Sequence, residues 1–456
     1  MFESIHHVHI VGIGGIGISA IAKLLVHKGI SVSGSDMMSS SITQELEQRG
    51  VKIFSGHALE HISEKTDLLL YSPAVLETNP EPQMAKERDI PQMSYPEVLG
   101  ELSKEYSTIA VCGTNGKSTT TAMLGLILEA AGYDPTVIVG SKVASFPDGN
   151  LRLGKGRFLV VEACEHQAHF LHMHPEMIVV TNIEEDHLDY YRDINHIRET
   201  FQAFVDKRKG KGLVVWNADD PQSQKLVLDR GISYGHEEGD YHFYDRETSA
   251  GKQWAEIQST VDGREQSLEK LELRVPGVYN LMNALAAQTA AMELGVPLEI
   301  IQKTLEIFPG IWRRFERIGM WHGAEIISDY GHHPTAITQT REGIREFFPG
   351  KRLVHVFQPH QHARTKMLFN EFVESLVGSD ILILSEIYYV PGRTDAQDIS
   401  SRDLMDAIKK RSPHQLIHYA KDTESAEMLL RELVREEDIV LIQGAGDIDK
   451  VARKLV

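Results

Sequence analysis

The sequence predicts an α/β protein built from three successive units, each on a mostly parallel sheet. Three observations carry that prediction. Short β-branched strands alternate with amphipathic helical stretches, as crossover connections require. Two of the strand–helix turns are glycine-rich, at 12–17 and 113–118. A third set of strands follows residue 315, most of them ending in Gly or His. A chain of 456 residues has room for about three domains.

The elements follow in order. HHVHIVGI (6–13) is a β-branched strand, and ISAIAKLLVHKG (18–29) an amphipathic helix closed by Gly29. SVSGSD (31–36), VKIFSG (51–56) and DLLLYSPAV (67–75) continue the sheet, and the unit ends near residue 105 in the polar ELSKEYS. The second unit opens with strand, turn, helix and glycine cap over 107–132. FLVVEAC (158–164), MIVVTNI (177–183) and LVVWNADD (213–220) are apolar runs suited to strands buried on both faces. The polar stretch 235–270 predicts surface hairpins, and 275–295 a helix after a Pro-Gly turn. In the third unit the strands are 324–331, 351–360, 380–387 and 438–446. The expected domains are 1–105, 106–312 and 313–456.

Composition bounds the function. With 42% hydrophobic and 25% charged residues the chain is globular rather than disordered. A net charge of -18 disfavours general nucleic-acid binding, which needs a basic surface, but leaves room for one phosphate site. No apolar run approaches the roughly 20 residues of a bilayer span, and no secretion signal is expected from the start MFESIHHVHIVGIGGIG. Two cysteines, Cys112 and Cys164, exclude a disulfide framework and suit a reducing cytoplasm. Cys164 reads as a packed small hydrophobe.

The turn Gly12-Ile13-Gly14-Gly15-Ile16-Gly17, with Asp36 ending the next strand, has dinucleotide-fingerprint spacing. Glycines let the backbone approach a diphosphate, and the helix start offers free N–H groups. This pattern fits NAD or another nucleotide diphosphate equally. Gly113-Thr114-Asn115-Gly116-Lys117-Ser118-Thr119 is a phosphate loop, shortened because Val111 stands where its first glycine belongs. Its N–H groups cradle phosphates, Lys117 neutralises β/γ charge, and the Ser118 hydroxyl can ligate Mg²⁺.

Glu162 ends one strand and the Asp186-His187 pair lies just past the next, where parallel sheets gather ligands. They could hold a second Mg²⁺ or Mn²⁺; a strand-end cap with a surface histidine is the plainer alternative. His166, His169, His172 and His174 read as solvated or core-edge histidines rather than a transition-metal site. Arg313-Arg314-Phe315-Glu316 could clamp a γ-phosphate or form a linker ion pair. Asp329-Tyr330-Gly331-His332-His333-Pro334 and Gln358-Pro359-His360-Gln361-His362-Ala363-Arg364 gather polar groups on one rim.

Taken in order, VGIGGIG, GSD, SPA (72–74), GTNGKSTTT, EACE, TNIEEDH, PGVYNLMNA (276–284), RRFE, DYGHHP, FQPH and GAGD (444–447) resemble the Mur ligases over essentially the whole chain. The resemblance implies a Rossmann-like N-terminal domain, a central P-loop ATPase-type domain and a Rossmann-like C-terminal domain. It implies an ATP- and Mg²⁺-dependent cytoplasmic bacterial ligase of peptidoglycan synthesis, a monomer or homodimer, acting through an acyl phosphate. The implied substrates are UDP-N-acetylmuramate and L-alanine. The UDP substrate would meet Gly12, Gly14, Gly15, Ile16, Gly17, Ser35, Asp36, Ser72 and Ala74. ATP would meet residues 113–119, Asn280 and Asn283 near adenine, Arg314 at the γ-phosphate, and Asp329 at the ribose. Ser118, Glu162 and His187 would hold metal; Lys117, Glu162, His187 and Arg314 would be catalytic. Tyr330, His332, His360 and Arg364 would receive the amino acid.

Some positions depart from the family pattern. Asn115 and Ser118 replace His and Thr, EACEH replaces EADES, and Gln361 replaces an arginine, leaving more of the carboxylate recognition to Arg364. No lysine occurs in 190–206, where several relatives carry a carbamoylated one. Gln361 keeps open a different amino acid or a recycled peptide as the amine. An NAD-dependent oxidoreductase fits the first turn alone, and a silent scaffold would not need the retained loop residues.

Overall fold

The computed structural model describes residue 2 and residues 4–456 apart from 189, 250, 269 and 390–397. The first sheet is wholly parallel, in the order Lys52–Ser55, Ser31–Asp36, His7–Val11, Leu68–Tyr71, Gln92–Ser94. Chain order therefore reverses at His7–Val11, which lies between the second and fourth strands. A crevice opens at the carboxyl end of such a strand, and there the glycine turn 12–17 meets Ser72. The Ser72 N–H donates to Val11 O at 3.0 Å, so the two segments leave the sheet side by side.

The helix Ile16–His27 buries Ile18–Leu25 and ends on Gly29 at φ +76°. Donation from Ile30 N to Leu25 O and from Gly29 N to Val26 O satisfies its last carbonyls. ELSKEYS proves to be the end of the helix Tyr95–Glu105, which carries a Ser94–Glu97 capping box.

The central sheet runs Gly231–His236, Leu213–Asn217, Met177–Val180, Ser107–Cys112, Phe158–Glu162, Thr136–Ile138, Leu151–Arg152. All but the last pairing in that row are parallel. Strands Tyr241–Ser249 and Lys252–Ser259 form the expected hairpin region. The third sheet runs Glu316–Trp321, Ala324–Asp329, Ile439–Gln443, Leu353–Phe357, Ile381–Ser385, Leu416–Ala420. Its first pair is antiparallel and the rest parallel.

By compactness the chain forms two units: 1–244 with 256–269 and 282–305, and 245–255 with 270–281 and 306–456. The first two sheets belong to one unit. Val8, Ile10, Leu24 and Leu102 share a continuous core with Ala110, Val161, Phe170 and Phe204. The third sheet has its own cores on its two faces, around Val354 and Ile442 and around Phe357 and Phe372.

Candidate active site

Each glycine turn ends a buried strand and starts a helix whose first turn lacks a side-chain cap. Unpaired N–H groups at both helix starts therefore face outward with the positive end of the helix dipole. In the first turn, Gly14 N–H donates to Asp36 Oδ2 at 2.9 Å, and Gly12 and Ile13 N–H both reach Ser35 O. A Cβ on Gly14 would stand 2.8 Å from Asp36 Oδ2, and one on Gly17 would stand 2.9 Å from the Tyr95 ring. These glycines are required by their neighbours as well as by any ligand. Ser72 packs against Gly12, and its Oγ accepts from Ala74 N–H at 3.4 Å.

Ser35 turns inward. Its hydroxyl donates to Glu81 Oε2 at 2.5 Å and lies 2.9 Å from His57 Nδ1. Glu81 is fully buried and also meets His61 Nδ1 at 2.7 Å, His9 Nε2 at 3.3 Å and Ala58 N–H at 3.2 Å. Burial alone would raise the Glu81 carboxyl; hydrogen bonds from His9, Ser35 and His61 reverse that and hold it at about 2. Sequence reasoning missed this cluster, whose members lie far apart in the chain. A carboxylate just after the Asn79-Pro80 helix start was the one available signal.

The phosphate loop is buttressed from the strand end at 181–184. Thr114 N donates to Asn182 O, Asn115 N to Asn182 Oδ1, and Glu184 N to Thr114 Oγ1, all at 2.9 Å. Gly116 is left-handed at φ +83°, and a Cβ there would fall 2.2 Å from Asn283 Oδ1. Asn283 thus packs on the loop, accepting from Thr120 Oγ1 at 3.3 Å. Thr119 is buried in the first helical turn.

Lys117 folds back over its own loop. Its ammonium donates to Gly113 O, to Thr114 O at 3.1 Å and to Glu165 Oε1 at 2.9 Å. Burial pulls its pKa down, but the charges of Glu165 and Glu162 outweigh burial and hold it at about 12. The ammonium is therefore permanently charged at neutral pH.

Ser118 Oγ donates to Glu162 Oε2 at 2.7 Å, and Gly140 N–H donates to the same oxygen at 2.8 Å. Adjacent ligands of a Mg²⁺ octahedron stand roughly 2.9 Å apart, given metal–oxygen bonds of about 2.0–2.1 Å. The Ser118–Glu162 pair thus has the spacing and the hard oxygen donors for that ion. No group of three or more His, Cys, Asp or Glu among the described residues is arranged to hold a metal. His187 is left-handed at φ +54°, with Nε2 3.8 Å from Glu165 Oε1. His166 packs on His187 at 4.5 Å between ring centroids and on His169 at 5.7 Å. Burial and the neighbouring imidazoles lower His169 to about 4. Burial pushes the Cys164 thiol up to about 12, which keeps it a neutral packing group.

In the second unit, Asp329 is wholly committed to structure. Its carboxylate accepts from Phe315 N, Gly331 N, Gln443 Nε2 and Thr340 Oγ1, at 3.0, 2.8, 2.8 and 3.3 Å. Asn280 Nδ2 donates to Pro276 O at 2.7 Å. Arg313 is buried, bonding Gly444 O and Gly446 O, whereas Arg314 is exposed with its guanidinium 5.0 Å from the Tyr330 ring centre. Tyr330 meets His332 edge-on at 5.2 Å, and His332 lies 6.1 Å from His360, which stacks on Tyr388. Burial, then the charge of Arg364, lower His332 to about 3, so it stays a neutral imidazole. The structure thus gathers Arg314, Tyr330, His332, His360 and Arg364 around one rim. Gln361 opens the helix His362–Met367 at φ +71°, a strained conformation for a residue with a side chain.

Three family models account for nearly the whole chain. Residues 7–107 match the Mur ligase family catalytic domain, 111–291 the Mur ligase middle domain, and 313–446 the Mur ligase glutamate ligase domain. The chain belongs to the Mur ligase family.

Among its relatives, a UDP-N-acetylmuramate–L-alanine ligase of Desulfotalea psychrophila is 38% identical, with 100% of this chain and 98% of that one covered. One of the same name from Syntrophotalea carbinolica is 39% identical over the same shares. The crystal structure of the UDP-N-acetylmuramate–alanine ligase of Thermotoga maritima superposes with a TM-score of 0.87 at 29% identity, covering 98% of each chain. A murein peptide ligase from Psychrobacter arcticus shares the fold at a TM-score of 0.72 and 23% identity, over 99% of this chain and 98% of that one. No helix among the described residues is long and apolar enough to cross a membrane.

Proposed function

We propose that this chain is the ligase that joins L-alanine to the lactyl carboxylate of UDP-N-acetylmuramate, with ATP as the activating substrate. Full-length relatives at 37–39% identity bear that activity in their names, which makes alanine the favoured amine. The observation that carries the chemistry is the pair of contacts at the phosphate loop, Lys117–Glu165 and Ser118–Glu162. They bring one fixed positive charge and one oxygen-rich cation site to the same helix start.

A carboxylate does not react with an amine at neutral pH, so it must first be activated. A lactyl carboxylate oxygen attacks the γ-phosphorus, the bond to the β–γ bridging oxygen breaks, and ADP leaves. The amine of alanine attacks the resulting acyl phosphate at its carbonyl carbon. The tetrahedral intermediate loses a proton from nitrogen and expels inorganic phosphate, leaving the amide. Loop N–H groups and Lys117 stabilise charge on the triphosphate, and Arg314 adds positive charge to the transferring group. Ser118 and Glu162, joined by His187, would hold Mg²⁺, which neutralises phosphate charge when bound. The glycine turn with Ser72 and Ala74 holds the UDP diphosphate; Tyr330, neutral His332, His360 and Arg364 receive the amino acid. Asn280 and Asn283 frame the nucleoside; Asp329, its carboxylate spent on Phe315, Gly331, Thr340 and Gln443, contributes only by fixing its own turn. These roles divide the chain functionally at 1–105, 106–312 and 313–456.

A phosphate-release assay with ATP, Mg²⁺ and UDP-N-acetylmuramate, run across amino acids and a muramyl-type peptide, tests the reading. Release should depend on L-alanine. Release driven only by the peptide would transfer the chain to the recycling activity that Gln361 leaves chemically feasible, and no release would end the proposal.

A further inference from the structure

The reaction needs the acceptor carboxylate and the γ-phosphate in near-attack geometry, and misplacement by about 1 Å can cost roughly 100-fold in rate. The helix starts at Ile16 and Lys117 hold the two substrates, so what fixes one against the other governs the rate. A buried lysine lies on that path. Lys23 belongs to the helix Ile16–His27 and is 1% exposed. Its ammonium donates to Asp148 O at 2.7 Å and to Asn150 Oδ1 at 2.9 Å, and lies 2.7 Å from Glu45 Oε1. Three partners match its three protons. Burial lowers its pKa, and the Glu45 carboxylate opposes that effect.

Asp148 and Asn150 lie in the connection between two strands of the central sheet, Thr136–Ile138 and Leu151–Arg152. That connection closes on itself through Val139 N to Asn150 O and Val143 N to Gly149 O. At one end Gly140 N–H holds Glu162, the carboxylate bonded to Ser118. At the other, Asn150 Nδ2 donates to Ile16 O, the first residue of the diphosphate helix, and to Ser19 Oγ at 2.9 Å. The Asp148 carboxylate binds Arg49 and His27, the latter at 2.7 Å. Lys142 of the same connection reaches Glu45 at 3.3 Å. A continuous chain of bonds thus runs from Glu162 to Ile16.

We infer that Lys23, Asp148 and Asn150 form a positioning latch that sets the diphosphate helix against the triphosphate loop, so that phosphoryl transfer stays coupled to amide formation. The three touch neither reacting group as assigned above; they act through Ile16 and Glu162. This inference rests on the proposed ligase activity and deepens it.

The test measures ADP formed and amide formed together, for the wild type, Lys23→Met and Asn150→Asp, with alanine saturating. The wild type should give one amide per ADP; failure there would sink the ligase reading and not the latch. In both variants kcat should fall at least tenfold, KM for ATP should stay within twofold, and ADP should exceed amide as misplaced acyl phosphate is hydrolysed. Asn150→Asp is nearly isosteric, keeps an oxygen for Lys23 and removes the donor to Ile16 O and Ser19, so it carries the test should Lys23→Met not fold. Because loss of folded enzyme scales both products alike, the ratio separates positioning from stability. One amide per ADP with wild-type kcat in folded Asn150→Asp would overturn the latch.

Discussion

The two glycine turns share a backbone plan and differ in what surrounds it. Both follow a buried strand, both start a helix without a side-chain cap, and both lie where strand order reverses. The turn at 12–17 contains no cationic residue, and the charged side chain bonded to it is the carboxylate of Asp36, which accepts from Gly14 N–H. The loop at 113–118 carries Lys117 and is flanked by Glu162 and Glu165. N–H groups alone suffice to seat a diphosphate that is merely held. A phosphoryl group that moves needs mobile charge met by fixed charge, and only the second turn provides it.

The largest effect that tests this contrast is Lys117→Ala. Turnover should fall by about 1,000-fold or more while the UDP substrate binds within about twofold of wild type by calorimetry. Equal loss of both would erase the distinction between the turns. Next, Glu162→Gln should cost about 100-fold in kcat and raise the Mg²⁺ concentration needed for half-maximal rate, since a neutral amide is a poorer hard ligand. A Mg²⁺ dependence identical to wild type would remove Glu162 from the cation site.

Gly17→Ala sharpens the comparison from the other side. The new methyl meets the Tyr95 ring, so KM for the UDP substrate should rise about tenfold with KM for ATP unchanged. The smallest effect concerns acid. Burial lowers His355 to about 3, so the fold keeps it neutral while the unfolded chain protonates near 6.5. Its stabilisation is complete above pH 6.5 and drains away as pH falls toward 3, at up to about 1.4 kcal/mol per pH unit. Glu81, held at about 2 against an ordinary 4.5, starts to lose its contribution only below about 4.5. Urea titrations at pH 7, 5.5 and 4 should therefore show stability falling before Glu81 begins to titrate. His355→Gln should flatten the decline between 7 and 5.5, and an unchanged slope would refute that order.

Much of this architecture is legible in sequence because it is local. Glycine turns, continuous apolar strands and the caps at Gly29 and Gly132 are written within a dozen residues. The edges of the third sheet were not. Glu316–Trp321 begins in a segment that reads as a linker, and Leu416–Ala420 is only partly buried, so neither shows a clean apolar run. The loop residues Lys117, Ser118 and Glu162 were legible since chemistry dictates residue type and place together. The Glu81 cluster, Tyr95 and Lys23 were not, because their partners lie far along the chain. A lysine in an amphipathic helix reads as solvent-facing; only the fold shows that Asp148, Asn150 and Glu45 converge on it. The histidine run divides in space: His166 and His169 join His187, while the His174 N–H is tied to Ser103.

On the proposed ligase reading, the clasp between Lys117 and Glu165 would make the cradle an ion exchanger. Any polyphosphate that settles there must evict a carboxylate from the ammonium, so capture reflects the difference between two partnerships and not the whole of either. Grip is tempered by design, and the spent diphosphate has a rival waiting to replace it, which favours turnover over tenacity.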